Sequence, residues 1–212
     1  REKLVIATKY SLPMVPGDPN ATGNHKKNLR RSLKDSLKRL QTDYVDVLYV
    51  HFWDWSVNIE DLMRDLDEVV KSGQVLHIGA SDLPAWVVAT ANTIARQKGW
   101  TPFTCYQGKY NMVERDLEQD MWPMAKSFNI ATVPWSVLGA GKLTGTRTRE
   151  NPKSSEASRT NINMTEKDFQ VQDVVIEIAK SLNRSAGQIA LNWALHKTTT
   201  PLLGCRTLKQ LE

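Results

Sequence analysis

The sequence has few cysteines, no long apolar run and only a modest excess of charge. Its 212 residues include two cysteines, Cys105 and Cys205, which are too few for a disulfide framework and favour a reducing, intracellular compartment. No apolar run approaches the roughly 18 residues that a membrane helix needs, and no secretory signal peptide is recognisable. With 41% hydrophobic and 24% charged residues, the composition is that of a globular protein. We therefore expect a cytoplasmic protein without a membrane segment.

The net charge of +5 permits an anionic partner without identifying one. The basic residues are densest between His25 and Arg39, where Leu29, Leu33 and Leu37 recur at helical spacing. This pattern favours the solvated outer face of an amphipathic helix over a nucleic-acid surface. We expect no nucleic-acid partner.

Short apolar runs alternate with amphipathic helices along the whole chain. The predicted strands are residues 4–8, 45–50, 75–80, 103–106, 130–134 and 201–205. Helices are predicted between them, including one over 117–128 with a kink at Pro123 and a last one starting at Leu208. A Ser-, Thr- and Asn-rich stretch over 144–165 is expected to be a mobile surface loop.

The predicted strands are apolar throughout, which is typical of a parallel sheet covered on both faces by crossover helices. Six strand–helix units leave two architectures, a doubly wound open sheet or a (β/α)8 barrel of typically about 250 residues. For a barrel, the first two units would precede Arg1, and a chain that opens without Met is expected to be part of something longer. No linker is recognisable, so a single domain over 1–212 is predicted.

Most of the predicted strands end in an unusual polar or aromatic residue. These residues are Lys9, His51, Ser81-Asp82, Gln107, Trp135-Ser136 and Gly204-Cys205-Arg206. In parallel α/β proteins this edge of the sheet is where active sites are built. Taken singly, Lys9 could reach solvent, His51 could be a core histidine and Gln107 could cap a strand. Their regular placement favours a functional site.

At this point the sequence resembles a known family. The segments that carry the likeness are Ile6-Ala7-Thr8-Lys9, Leu48-Tyr49-Val50-His51, Ile78-Gly79-Ala80-Ser81-Asp82, Tyr106-Gln107 with Tyr110-Asn111, the run from Trp135 to Gly145, and Gly204-Cys205-Arg206 with Lys209-Gln210. In this order they resemble the aldo-keto reductases. The segments His51-Phe52-Trp53-Asp54 and Pro134-Trp135-Ser136 are most similar to those of the fungal aryl-alcohol dehydrogenases.

The resemblance implies a (β/α)8 barrel, here incomplete, with roughly strands 3 to 8 and their helices. It implies reduction of aldehydes and ketones with NADPH by a catalytic Asp, Tyr, Lys and His. Lys9 and His51 match the last two. The Asp and Tyr belong to a loop that would precede Arg1, and Tyr10 does not stand at the position of the catalytic tyrosine.

These residue types suit carbonyl reduction. An ammonium such as that of Lys9 lowers the pKa of a neighbouring phenol, which is ordinarily about 10. His51 can donate a hydrogen bond to the carbonyl oxygen or help to relay the proton. The substrate implied is a small carbonyl compound or alcohol, expected to be aromatic.

The same resemblance implies a set of residues that bind NADP(H). Ser81, Asp82 and Gln107 would bind the nicotinamide carboxamide, although many members have Asn where Asp82 stands, and a carboxylate cannot donate to the carboxamide oxygen. Trp135 would stack on the nicotinamide. The pyrophosphate would be bound by the backbone of Ser136, Leu138, Gly141 and Leu143, and the adenosine end by Gly204, Arg206 and Gln210. The Arg206 guanidinium suits a 2′-phosphate and so favours NADPH over NADH.

Other interpretations of the sequence are weaker or stay open. The glycines from Gly139 to Gly145 match neither dinucleotide nor P-loop spacing, and the His and Cys residues lack metal-ligand spacing. Trp53 and Trp55 could line an aromatic substrate pocket or simply pack on the barrel rim. Beside the reductase stand two alternatives: a non-catalytic nucleotide-binding or regulatory barrel, and an unrelated barrel enzyme with a phosphorylated substrate.

Overall fold

A computed structural model describes residues 1–149, 163–205 and 207–208. The strands are β1 (Ala7–Tyr10), β2 (Val45–Val50), β3 (Val75–Ser81), β4 (Phe103–Lys109) and β5 (Ala131–Trp135). The α-helices are α1 (Lys26–Leu40), α2 (Ile59–Lys71), α3 (Ala85–Lys98), α4 (Met121–Phe128), α5 (Glu166–Ser181) and α6 (Ala186–Lys197).

The chain divides into two compact units. The first contains Arg1–Gln107 and Asp120–Ala131, and the second contains Gly108–Gln119 and the described residues from Thr132 onward. Each unit is described by itself below, and the prediction of a single domain over 1–212 stays a prediction.

The first unit is built on a parallel sheet in which β1, β2, β3 and β4 are neighbours in that order. Val45, Leu48 and Ile78 are fully buried in it, as the continuously apolar strands predict. Leu62 and Leu66 of α2 are equally buried. Burial of each such side chain stabilises the folded state by about 1.5–3 kcal/mol. The packing of α2 against the sheet therefore contributes to the stability of this unit.

The first strand begins later than predicted. Leu4 and Val5 are 62% and 79% exposed, and pairing starts only at Ala7. The backbone N–H of Ile6 donates to the carboxylate of Asp46 at 2.8 Å instead of to a ladder carbonyl. A side-chain acceptor on the neighbouring strand therefore replaces the first ladder bond.

The predicted kink at Pro123 is wrong. A short 3-10 helix over Asp116–Glu118 comes first, and α4 then begins at Met121. Pro123 therefore lies in the first turn of α4, where a backbone N–H has no partner within the helix. The missing donor therefore breaks no hydrogen bond within the helix.

In the second unit, α5 and α6 pack around a core that contains Leu143, Val175 and Ala190. The sixth strand predicted over 201–205 is wrong, since none of these residues is in a strand. Leu202 donates its N–H to the carbonyl of Pro134 at 2.8 Å, but Pro201 has no N–H to donate and interrupts a ladder.

Two further expectations fall partly on residues that are not described. Most of the polar stretch at 144–165 and the helix expected after Leu208 lie outside the described residues. Within the described ranges, no helix combines the length and apolarity needed to cross a membrane. The same residues contain no cluster of three His, Cys, Asp or Glu side chains suited to a metal ion.

Candidate active site

Four of the predicted site residues of the first unit share one face of its sheet. The strand register aligns a row of residues across β1 to β4, and this row is Lys9, Tyr49, Gly79 and Cys105. Ser81 pairs with Gln107 two residues further on, and His51 lies two residues beyond Tyr49, with its N–H donating to the carbonyl of Tyr10 at 3.0 Å. Because alternate residues point to the same face, Lys9, His51, Ser81 and Gln107 project together at the carboxyl ends of the strands.

Lys9 and His51 also line one groove of about 320 Å³ beside β1. Burial lowers the pKa of His51, and the positive charge of Lys9 lowers it further. At neutral pH the imidazole is therefore uncharged and carries one N–H that can be donated. Burial also lowers the pKa of Lys9, while the carboxylate of Asp82 opposes this change.

Tyr49 lies beneath Lys9 and is not among the site residues predicted from the sequence. The Lys9 ammonium is 5.3 Å from the centroid of the Tyr49 ring, within the range of a cation–π contact. The thiol of Cys105 donates to the Tyr49 hydroxyl at 3.3 Å. Burial raises the pKa of Tyr49, so the phenol stays neutral. Its position two residues before His51 was the available signal, because both then occupy the same face.

Gly79 makes room for this ring. A β-carbon at position 79 would lie 2.5 Å from Cε1 of Tyr49 and 2.7 Å from the Cys105 sulfur. Such distances are well inside van der Waals contact. Glycine is therefore needed at position 79 because any side chain there would collide with the Tyr49 ring and the Cys105 sulfur.

The backbone turns at Asp82, directly after β3 ends at Ser81. Its φ of 50° is left-handed, and its N–H donates to the carbonyl of Gln107 at 3.3 Å. Ser81 and Gln107 are buried, whereas Asp82 is exposed. The carboxylate of Asp82 acts on Lys9 through its charge. Binding of a carboxamide by Ser81, Asp82 and Gln107 stays a prediction.

In the second unit, the loop after β5 is held by the segment that follows β4. Tyr110 donates its N–H to the carbonyl of Trp135 at 3.2 Å, and the buried Asn111 side chain donates to the carbonyl of Ser136 at 3.1 Å. The Lys109 ammonium lies 5.8 Å from the Trp135 ring centroid. Tyr110 and Asn111 thus position the two residues that the sequence predicts to contact nicotinamide and pyrophosphate.

The loop then turns tightly upon itself. Gly139 and Gly141 have φ values of 58° and 97°, which disfavour a side chain. The N–H groups of Gly141 and Leu143 both donate to the carbonyl of Leu138, at 3.0 and 3.2 Å. Leu138 and Leu143 pack their side chains on the core of the unit. To bind a pyrophosphate, these two N–H groups would have to give up the Leu138 carbonyl or donate to both acceptors at once. Their role in binding the pyrophosphate stays a prediction.

An ion pair anchors the end of this loop to α5. Both oxygens of Asp168 accept from the Lys142 ammonium at 2.9 Å, and the pair is largely buried. Asp168 also forms a capping box with Thr165. Burial alone would raise the pKa of Asp168, but hydrogen bonds from Thr165 and Lys142 outweigh it and hold the pKa below its usual range. Gln172 adds a 2.6 Å hydrogen bond to the Lys142 carbonyl.

The residues expected at the adenosine end are only partly described. Gly204 is exposed, and among the described residues other than its two chain neighbours no atom lies within 4 Å of the position that a β-carbon would take there. Arg206 and Gln210 lie outside the described residues.

Similarity to known proteins covers the whole chain. The model of the aldo/keto reductase family matches residues 1–212. The chain is 36% identical to the aryl-alcohol dehydrogenase [NADP(+)] of Phanerodontia chrysosporium, with 100% of the chain and 59% of the relative covered. It is 38% identical to norsolorinic acid reductase A of Aspergillus parasiticus, with 100% and 55% covered. For norsolorinic acid reductase stcV of Emericella nidulans the identity is 40%, with 100% and 56% covered.

The chain thus spans between half and two thirds of the length of these relatives. The family match and the parallel sheet with its crossover helices confirm the predicted fold class, a partial (β/α)8 barrel. They also confirm the resemblance first seen in the strand-end residues. The chain belongs to the aldo/keto reductase family.

Proposed function

We propose that the protein is an NADP(H)-dependent oxidoreductase that interconverts aryl or aliphatic aldehydes and ketones with the corresponding alcohols. The observation that carries this proposal is the common face of Lys9, His51, Ser81 and Gln107 at the carboxyl ends of β1 to β4. Family membership and a relative named as an NADP(+) aryl-alcohol dehydrogenase support it.

The two predicted catalytic residues suit a developing alkoxide. A neutral His51 donates an N–H to the carbonyl oxygen, and that hydrogen bond strengthens as negative charge builds up. The Lys9 ammonium, bound over the Tyr49 ring, stabilises the same charge and lowers the pKa of a phenolic acid brought beside it. We propose that a tyrosine of the remainder of the barrel supplies this acid, with the family's aspartate beside it.

The residues of the first unit fit a nicotinamide carboxamide. Ser81 and Gln107 are buried neighbours across β3 and β4, and they bring a hydroxyl and an amide close together. A carboxamide both donates and accepts, as these two side chains do. Nicotinamide, when bound, supplies the hydride to the carbonyl carbon. Trp135, Ser136, Leu138, Gly141 and Leu143 are the residues we propose for the ring and the pyrophosphate.

The choice of NADPH over NADH rests on Arg206 and on the named relative. We also propose a cytoplasmic location, because two cysteines are too few for a disulfide framework.

The test combines binding with turnover. NADPH is titrated into the natural full-length protein, and its oxidation is then followed with veratraldehyde as substrate. Lys9→Met and His51→Gln should each lower kcat by about 10²–10⁴-fold while NADPH still binds, because each removes a group that acts mainly in the transition state. Lys27→Met, on the exposed face of α1, is the matched control and should leave kcat unchanged.

The possible outcomes separate the alternatives. Binding of NADPH without any turnover by the natural protein would favour the regulatory or nucleotide-binding barrel. Absence of both would contradict the oxidoreductase proposal. Turnover that persists in Lys9→Met would remove Lys9 from the chemistry.

A further inference from the structure

Ser11, the residue that follows β1, has a backbone conformation that is rare for any residue but glycine. Its φ is 116°, in the left-handed region where a β-carbon is disfavoured, and its side chain is fully buried. A strained residue of this kind persists only where the surrounding contacts impose it, and such residues concentrate at functional sites. The strain lies two residues after Lys9, at the end of the strand that carries it.

The backbone of Ser11 closes the loop after β1. Its carbonyl accepts from the Gly23 N–H at 2.7 Å and from the Thr22 hydroxyl at 3.1 Å. Because both bonds are accepted by a main-chain oxygen, a glycine at position 11 would keep them and would adopt the same φ without strain. The closure of the loop therefore gives no reason for a serine.

The Ser11 hydroxyl is the group that a glycine would lack, and it binds two donors. It accepts from the side-chain N–H of Asn24 at 2.9 Å and from the backbone N–H of His51 at 3.3 Å. The same His51 N–H also donates to the Tyr10 carbonyl at 3.0 Å, so this donor is satisfied without the serine. The hydroxyl therefore adds a second connection between the ends of β1 and β2.

Asn24 connects this hydroxyl to the loop after β2. Its side-chain N–H also donates to the Phe52 carbonyl, and its side-chain oxygen accepts from the Asp54 N–H, both at 2.9 Å. The Asp54 carboxylate accepts from the Asn24 backbone N–H at 2.9 Å. Asn24 is itself buried, and buried hydrogen-bond networks of this kind make a structure rigid. The residues on either side of the Ser11 hydroxyl are therefore fixed.

Fixing the backbone of His51 also fixes its imidazole relative to Lys9. The positive charge of Lys9 contributes to the lowered pKa of His51, so the two side chains are close enough to interact. The charge that acts on Lys9 in turn is that of Asp82. A displacement of about 1 Å in a reacting geometry can slow a reaction by about a hundredfold. The distance between His51 and Lys9 therefore matters for any chemistry that uses both.

We propose that Ser11 is a positioning residue whose hydroxyl, held by Asn24, fixes His51 beside Lys9 for the reaction at the carbonyl group. This inference rests on the proposed function and deepens it. Ser11 acts through His51 and not on the substrate. The strained φ is tolerated because it places a hydroxyl between the two strand ends.

Turnover of the natural full-length protein is the first test. Ser11→Ala should lower kcat for reduction of veratraldehyde by about tenfold to a hundredfold, because the imidazole is then less well placed. The Kd for NADPH should stay the same, since the substitution removes no group proposed to bind the nucleotide. An unchanged kcat in Ser11→Ala would overturn the proposal.

Ser36→Ala is the matched control. Ser36 is also a buried serine of the first unit, and its hydroxyl accepts from the Thr8 hydroxyl at 3.2 Å. Thr8 precedes Lys9 in β1, so its side chain points to the opposite face of the sheet. The control loses a buried hydroxyl without affecting the Lys9 face, and it should keep the wild-type kcat.

Ser11→Gly separates the hydroxyl from the strain. It lacks the hydroxyl as Ser11→Ala does, so kcat should fall by the same factor. Glycine adopts the φ of 116° without strain, so Ser11→Gly should unfold at a higher denaturant concentration than Ser11→Ala. A wild-type kcat in Ser11→Gly would overturn the proposal, because the hydroxyl would then be dispensable.

Titration of the His51 imidazole by NMR gives a readout that does not need turnover. Burial and Lys9 hold the pKa of His51 below 6.5 in the folded protein. In Ser11→Ala this pKa should rise towards 6.5, because the imidazole is no longer fixed beside Lys9. It should not change in Ser36→Ala, and His51→Gln identifies the signal by its loss. Equal His51 pKa values in wild type and Ser11→Ala would overturn the proposal, since a loss of stability alone would not move them.

The two measurements keep this proposal and the proposed function apart. A raised His51 pKa in Ser11→Ala, in a natural protein that neither binds nor oxidises NADPH, means that Ser11 positions His51 and that the oxidoreductase proposal fails. Unchanged kcat and unchanged His51 pKa in Ser11→Ala, in a protein that oxidises NADPH with veratraldehyde, mean that the positioning proposal fails and the oxidoreductase stands.

Discussion

The two units place their candidate site residues by different means. In the first unit, strand register aligns Lys9 with Tyr49 and Ser81 with Gln107, so regular secondary structure does the positioning. In the second unit, Trp135 and Ser136 are positioned by hydrogen bonds from Tyr110 and Asn111. The site residues of the first unit therefore depend on side-chain packing under the sheet, whereas those of the second unit depend on a few specific hydrogen bonds. Mutations should therefore lower the free energy of unfolding by different mechanisms in the two units.

The largest effect is expected from Asp168→Ala in the second unit. The substitution removes a capping box and leaves the largely buried Lys142 ammonium without its partner. We expect the free energy of unfolding to fall by about 2–4 kcal/mol, below the full cost of a deeply buried pair. Chemical denaturation measures the change.

Asp173→Ala is the control for that loss. Asp173 lies on the same helix and pairs with Arg149 in an exposed ion pair. A surface pair contributes about 0–1 kcal/mol, so the two variants should differ clearly. Similar losses for both would show that the Lys142 pair does not anchor the loop.

Gly79→Ala tests packing under the sheet of the first unit. Alanine would ordinarily be the better residue in a strand, by about 0.5–1 kcal/mol. The close approach of the Tyr49 ring and the Cys105 sulfur to position 79 should reverse the sign and cost about 1–3 kcal/mol. Thermal unfolding monitored by circular dichroism measures it.

Gly187→Ala provides the matching substitution in the second unit. Gly187 lies in α6, where the nearest atom that a β-carbon would meet, among the described residues, is the Ser185 hydroxyl at 4.0 Å. It should stabilise the protein by a few tenths of a kcal/mol up to about 1 kcal/mol. A stabilising Gly79→Ala would mean that the Tyr49 ring is free to move aside.

Tyr49→Phe removes one hydroxyl from the same packed row. The ring and its contact with Lys9 are retained, but the Cys105 thiol loses its acceptor. We expect a loss of about 0.5–1.5 kcal/mol in the free energy of unfolding, the range of a single hydrogen bond. Tyr49→Leu, which also removes the cation–π contact, should cost more, and an equal cost for both variants would contradict a role of the ring beneath Lys9.

The smallest effect is expected in the pH dependence of stability. Because burial and Lys9 lower the pKa of His51 from 6.5, the unfolded chain binds a proton at a higher pH than the folded protein. Stability therefore falls as pH drops from about 6.5 towards the folded pKa, and it rises again with pH. His51→Gln should flatten this part of the curve. An unchanged slope in denaturant titrations across this range would show that His51 is not held uncharged.

The contrast between the units also explains what the sequence could predict. The sequence pattern predicts β2 to the residue, since Val45–Val50 is apolar at every position except Asp46 and is followed by His51. The site residues Lys9 and His51 follow from the same regularity, because a strand end is visible in a sequence. Tyr49 could not be predicted as a site residue, because aromatic residues are common in buried strands. Only the strand register shows that Tyr49 lies beside Lys9.

The predictions of secondary structure are wrong where a single residue has more effect than the apolar pattern around it. The apolar pattern over 117–128 is real, but it does not show that a 3-10 helix precedes Met121 and leaves Pro123 in a first turn. The run at 201–205 looks like a strand, yet Pro201 removes a donor at its start. In the second unit, Asn111 bonds to Ser136 and Asp168 bonds to Lys142, partners that lie 25 and 26 residues away in the sequence. Neither composition nor periodicity predicts which residues form such pairs.

The hydrogen bonds that join Asn24 to Phe52 and Asp54 have a consequence for the loop after β2. Gly23 lies so close to the Asp54 carboxylate that a β-carbon there would collide with it, and residues 23 and 24 lie about thirty positions before Asp54 in the sequence. The conformation of this loop therefore depends on residues far away in the sequence, and a substitution at position 23 would change the loop without altering any of its own residues.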